Sequence, residues 1–439
     1  MKMQGLLVAA VVLAALSGTL YWSNHRKPAE DTSKSSADTP PKILTLNEAD
    51  ISRIGIAKKD VGEVVLVKAD AGKWQIIAPK PLGVDSSVVS SMISTLSSLN
   101  AERLVDDKAS NLNQYGLSEP ALEIDVAGKS AKPRKLLIGD DIPTGNGAYA
   151  KLDEDPRVFT IASYNKTSLD KAVKDLRDKR LLTIESDKIS RIQLVGKKET
   201  IEFGRNKEKW QILKPRPFRA DGYQVDELVR KLTDARMDLS SSDQDPEKAF
   251  ASGTMVATAK VTTESGTQEV QVRKNKDNYY AKSSVVEGMY KISNDLGQEL
   301  GKNLDDFRNK KPFDFGFTNP NKIEIHDGLK AYFLRRSGED WWSGEGKKLD
   351  AGGVGSLVDK IRDLEASKFV DSGFGAPTIE INVTSDDGKR IEKLLISKAG
   401  NSYVAKRENE PALYALDSKA VEEIQKSAGE LKPAAAPGK

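Results

Sequence analysis

Residues 85–99, DSSVVSSMISTLSSL, decide the fold, because the same frame returns at 221–235, DGYQVDELVRKLTDA, and at 350–364, DAGGVGSLVDKIRDL. Each stretch opens on an aspartate, a side chain that accepts hydrogen bonds from the free N–H groups of a first helical turn. Counted from Asp85, Asp221 and Asp350, apolar residues fall at the fourth, seventh, eighth and eleventh positions. They are Val89, Met92, Ile93 and Leu96, then Val225, Leu228, Val229 and Leu232, then Val354, Leu357, Val358 and Ile361. That spacing puts one stripe on one face of a helix. Three capped amphipathic helices in one frame predict three copies of a single unit.

The flanking sequence repeats as well. Upstream, ISRI at Ile51–Ile54 returns at Ile189–Ile192 and as KIEI at Lys322–Ile325, each read as an opening strand. A tryptophan strand follows in GKWQIIAPKP (72–81), EKWQILKPRP (208–217) and EDWWSGEGKK (339–348), the last without the prolines that end the other two. Downstream, LEIDV with KLLIG, ATAKV with EVQVR, and IEINV with KLLIS read as antiparallel pairs, the third turned by Asp387-Gly388. Ala150, Ala281 and Ala405 each precede a lysine, and nine residues beyond each stands an aromatic: Phe159, Tyr290 and Tyr414. The first two units end in basic helices, DLRDKRLL and DFRNKKPF.

The predicted fold class is therefore α+β: three tandem repeats of a mostly antiparallel sheet with covering helices, each β-β-α-β-β-β-α. The modules span about 43–184, 185–316 and 317–432, and each is long enough to close its own core. Residues 1–22 read as a membrane anchor. The uncharged run Gly5–Trp22, GLLVAAVVLAALSGTLYW, would extend about 27 Å as a helix, enough for a bilayer core, with Tyr21 and Trp22 at its end. A cleaved export signal with Ala15 and Ser17 as the small-residue site is the second reading, and both place the bulk of the chain outside the cytoplasm. Residues 23–42, rich in Ser, Pro and charge, read as a flexible linker and residues 433–439 as a disordered tail.

The inventory restricts the chemistry. With no cysteine there is no disulfide, thiolate metal site or cysteine nucleophile. His25 and His326 are the only histidines, too few for a multi-histidine metal site. A net charge of +3 in 439 residues supplies no field that gathers nucleic acid. No Gly-Lys-Ser/Thr phosphate loop occurs. Asp140-Asp141 has no counterpart in the other units and reads as a solvated hairpin tip. No catalytic, cofactor-binding or metal-binding residue is predicted, and no cofactor. Trp74 and Trp210 are predicted to pack into cores, whereas the adjacent Trp341 and Trp342 must face opposite sides of a strand, exposing one. Trp342 and the basic endings Arg177, Lys179, Arg180, Arg308, Lys310 and Lys311 are the candidate partner surface.

The apolar N-terminus, the strands GKWQI and EKWQI, the tyrosine–Ala-Lys segments and the endings LRDKR and FRNKK resemble the bacterial domain-of-unknown-function family 4340 over nearly all of residues 43–432. Members look like envelope proteins, often encoded beside an ABC-type transporter of the gliding-motility kind. The resemblance implies a single-pass bacterial inner-membrane protein with a periplasmic bulk. It further implies a non-enzymatic accessory or scaffold role, with the membrane and a transporter complex as partners. A cell-wall or polysaccharide binder using exposed aromatics is the alternative, and a carboxylate-dependent hydrolase the second.

Overall fold

The computed structural model describes residues 41–435, apart from 60, 71, 129–131, 144, 208, 241–244 and 318–319. The expected anchor at 1–22 and nearly all of the expected linker lie outside the described residues, as does the end of the tail. Among the described residues no helix is long and apolar enough to cross a membrane.

The architecture is α+β, with three large repeat-like antiparallel sheets. In the first, the hairpin Ile51–Lys58/Gly62–Lys68 is extended on one side by Trp74–Ala78 and Leu82–Gly83. On its other side lie Leu122–Gly128, Arg134–Asp141, Gly147–Leu152, Val158–Ala162 and Arg103–Asp106. The second grows the same way from Arg191–Gly196/Thr200–Asn206, with Lys209–Lys214 and Phe218–Arg219 on one side. Thr254–Thr263, Gly266–Asn275, Asn278–Ser283 and Met289–Ile292 lie on the other. The third is built on Lys322–Asp327/Lys330–Ser337, with Asp340–Ser343 as one edge. Ile379–Ser385, Arg390–Ala399, Ser402–Arg407, Leu413–Leu416 and Ala366–Val370 follow in space. Lys42–Thr45 pairs separately with Ser98–Asn100.

The outline β-β-α-β-β-β-α omits a strand before the helix that all three units share. Gly62–Lys68, Thr200–Asn206 and Lys330–Ser337 stand between the opening strand and the tryptophan strand. Each opening strand needs this neighbour, because its edge facing the tryptophan strand would otherwise carry unpaired N–H and C=O groups.

The three helices form as their spacing predicts, over Ser86–Ser97, Gly222–Thr233 and Ala351–Asp363. Asp85, Asp221 and Asp350 cap them, each carboxylate accepting from first-turn N–H groups. The four apolar positions of each stripe are buried. In the first sheet, Val89, Met92, Ile93 and Leu96 join the inward-facing strand residues Ile54, Ile56, Ile124 and Ile138 in one packed layer.

Asp85 shows what a cap contributes. Its Oδ1 accepts from the Ser87 hydroxyl at 2.6 Å and the Ser87 N–H at 3.0 Å. The Ser87 hydroxyl and the helix N–H groups hold its carboxyl below the usual range, against burial. Asp85→Ala should cost about 1 kcal/mol. A folded pKa below the unfolded one means this stability is present above the ordinary carboxylate range and lost as pH falls through the folded value. Urea unfolding near neutrality should therefore separate wild type from Asp85→Ala, and unfolding in acid should bring them together. An undiminished gap in acid would contradict the assignment.

The chain divides into two compact units, Met1–Asp178 and Lys179–Lys439. The second begins before the expected boundary at 184/185, because Leu181 and Leu182 are buried in the core of the second sheet. The second and third sheets were expected to close separate cores; instead their buried residues form one continuous cluster.

Candidate functional site

The candidate surface residues separate into different environments. Trp341 is buried, and Trp342 is 36% exposed on the edge strand Asp340–Ser343, opposite Arg335. In the first unit, Arg177 ends the short helix Val173–Leu176, half-buried, its backbone bridged to Val84. In the second unit, Lys179 is half-buried and its C=O accepts the Met237 N–H at 2.8 Å; Arg180 is exposed and bridged to Arg236.

Arg308, Lys310 and Lys311 meet at the junction of the second and third sheets. The expectation that Arg308 lies on a surface is corrected: it is 8% exposed. Its guanidinium carbon lies 4.0 Å from the Phe218 ring centroid and 3.5 Å from that of Phe369, so a strand of each sheet contributes one wall. A planar, weakly hydrated cation fits between two rings, which a solvated helix end does not require. Nη1 bonds Asp305 at 2.9 Å. Burial pulls its pKa below the guanidinium range, with Asp305 opposing. Lys310 is half-buried and its C=O accepts the Ala366 N–H at 2.9 Å; Lys311 is exposed, 3.9 Å from Asp363. Phe369 lies on Ala366–Val370, the edge of the third sheet opposite the strand of Trp342. The proposed surface is thus not one patch.

Around Arg308 runs a second layer of charge. Arg219 reaches the Lys311 C=O, bonds Glu410 at 3.2 Å and donates to the Tyr414 hydroxyl at 3.1 Å. Glu410 also pairs with Arg407 at 3.0 Å. Arg407 bonds Glu392 at 3.2 Å and donates to the Pro312 C=O at 2.6 Å. Glu392, almost fully buried, accepts the Asp314 N–H at 3.0 Å and lies 3.4 Å from Arg390. Burial pushes the Tyr414 phenol above its ordinary range, against Arg219. For Arg219 burial opposes the charge, but Tyr414 and Glu410 outweigh it and hold its pKa up.

Tyr414 appeared in the sequence only as a repeating aromatic; Arg219, Phe369, Arg407 and Glu410 carried no signal. Glu392 did carry one, because it occupies the alternation that buries Leu394 and Ile396. A carboxylate on a core-facing position needs a partner. Elsewhere, Asp141 is exposed and paired with Lys166 at 2.7 Å. Among the described residues no group of His, Asp or Glu is arranged to hold a metal ion.

One family model, Domain of unknown function (DUF4340), matches residues 74–213 and again 210–379. The chain belongs to this family. The two DUF4340 segments open on Trp74 and Trp210, the tryptophans that occupy the same place beside the first and second hairpins. No curated protein matches. Among solved structures, the chain is matched to the DNA polymerase III subunit beta from Pseudomonas aeruginosa at 9% identity and TM-score 0.15, covering 85% of this chain and 93% of that one. It is also matched to the DNA polymerase sliding clamp from Pseudomonas aeruginosa with ligand, at 9% identity and TM-score 0.14, covering 85% and 92%. At those scores neither likeness carries an argument.

Proposed function

We propose that this DUF4340 protein is a membrane-tethered bacterial envelope scaffold, three copies of one α+β module behind an apolar N-terminal anchor. It serves an ABC-type transport complex by contact and positioning rather than by bond chemistry. The observation that carries this reading is a recurring entry joint. Sixteen residues past Asp85, Asp221 and Asp350 stand Ala101, Met237 and Ala366. Their N–H groups donate to the C=O groups of Pro41, Lys179 and Lys310, where the chain enters each sheet. One entry contact used three times supports a repeated module, and the aromatic and ionic junction of the last two sheets supports a contact role for the unit that holds them. The paired DUF4340 matches support the repeat, and the uncharged run at 5–22 supports the tether.

The test is affinity purification of the full chain from detergent-solubilised membranes of its own organism. Permease and ATPase subunits of one transporter should co-purify in constant ratio and survive a salt wash. Repeated recovery of the chain alone would remove the transporter role. Release of the chain from membranes by alkaline carbonate would remove the anchor.

A further inference from the structure

We propose that the cleft between the helices Ser86–Ser97 and Ser163–Leu169 of the first unit is a binding site for a neutral glycan chain. This goes beyond the scaffold reading and does not depend on it. The site is an open surface cleft of about 610 Å³, in the size range of roughly 300–1,000 Å³ that small-ligand sites occupy.

Its lining is unusual for a solvated helix pair. Ser87 and Ser91 contribute hydroxyls from one helix, and Ser163, Thr167 and Ser168 from the other. Val88 supplies an apolar patch, Lys171 is the one cation, and no carboxylate lines it. A hydroxyl both donates and accepts, as the hydroxyls of a sugar do. An anion would meet a single charge here and a cation none. The first helix extends the same chemistry: Ser86, Ser90 and Ser94 are exposed, as is Ser98 just past its end, and its outward face carries no ionisable residue. The equivalent helices follow the ordinary rule of charged solvent faces, with Glu227, Arg230 and Lys231 in the second sheet and Asp359, Lys360 and Arg362 in the third. The hydroxyl face therefore belongs to the first unit and is not required by the fold.

Tyr164 supplies the second element. It lines the cleft with 73% of its surface exposed. A flat amphipathic ring left in water costs apolar exposure. The C–H face of a pyranose covers such a ring and leaves the sugar's hydroxyls for the serines and threonines beside it. The floor is firm: Thr95 and Ser168 share a hydroxyl–hydroxyl bond of 3.0 Å that ties the helices together. Ser87 donates to Asp85, which leaves its lone pairs as acceptors for a sugar hydroxyl.

The test uses the full chain in a detergent without sugar headgroups. The probes are the β-1,4-linked tetramer of N-acetylglucosamine and maltotetraose, read by saturation-transfer-difference NMR. Saturation should reach ring C–H protons of at least one glycan, fall about fivefold or more in Tyr164→Ala, and persist in Tyr164→Phe, as expected for an aromatic anchor. Tyr164 is exposed, so neither variant should disturb folding. Absence of transfer to both glycans with the wild type would overturn the proposal, as would transfer unchanged in Tyr164→Ala. Loss in Trp342→Ala with retention in Tyr164→Ala would place the sugar on the third sheet and also overturn it.

Discussion

Arg308→Ala should lower the stability of the unit Lys179–Lys439 by about 3 kcal/mol, far more than loss of an exposed arginine. The guanidinium fills the gap between Phe218 and Phe369. Truncation opens a cavity between rings on different sheets, removes two cation–π contacts and leaves Asp305 without its 2.9 Å partner. Arg308→Lys keeps the charge but not the plane that stacks, and should fall between wild type and alanine. The controls are in the same segment: Lys310→Ala and Lys311→Ala should each stay within about 0.5 kcal/mol. Equilibrium urea unfolding followed by tryptophan fluorescence measures this directly, since Trp210, Trp341 and Trp342 all lie in this unit. If Arg308→Ala matches the lysine controls, the junction is not held as its geometry implies.

Why the sequence misplaced Arg308 is physical. Locally it stands in DFRNKK, a basic helix end, and such a cluster on its own is solvated. Its burial comes from Phe218 and Phe369, dozens of residues away on either side, and nothing in the local pattern announces them. The helices were legible for the opposite reason: an N-cap and an apolar stripe are complete within fifteen residues and depend on no distant partner. The missed strands Gly62–Lys68, Thr200–Asn206 and Lys330–Ser337 fall between these cases. Ile201 and Phe203 alternate with polar neighbours, but VVLV in the first and AYFL in the third do not, so strand period does not mark all three.

The continuous core of the second and third sheets has the same origin. A module of this length can bury its own interior, and the apolar residues of each sheet are the ones its pattern marks. What the pattern leaves out is the chain that leaves one sheet and lies on the next. Leu181 and Leu182 seal the second sheet, and Phe313 and Phe315 lie in the shared cluster, so the connections are themselves core. A boundary drawn from composition falls after such residues, whereas contact places them with the module that follows.

Glu392→Ala should be the costliest single change in the third sheet, at roughly 3 kcal/mol, because it leaves the Asp314 N–H without its acceptor and takes from Arg407 the more buried of its two carboxylates, leaving Glu410 alone. Glu392 is 3% exposed and Arg407 13% exposed, and their 3.2 Å pair holds the connecting segment through the Pro312 C=O and the Asp314 N–H. The second sheet grips the same two backbone groups of its own connection without charge. There the Ser283 hydroxyl donates to the Leu181 C=O, and the Gln268 Oε1 accepts the Thr183 N–H at 2.9 Å. Glu392→Gln alone keeps an acceptor for Asp314 but deprives Arg407 of its buried partner, so it should remain clearly destabilising. Adding Arg407→Ser converts the ionic grip into the neutral one, while Glu410 keeps Arg219 and Tyr414. The double variant should therefore recover at least about 1.5 kcal/mol relative to the sum of the single variants, within the range for groups in one network. Additive losses in that cycle would mean that the two grips are not interchangeable. Recovery would mean that the charge at this junction is one of two workable ways to fasten a connecting segment, as expected where a buried ion pair roughly balances its own desolvation.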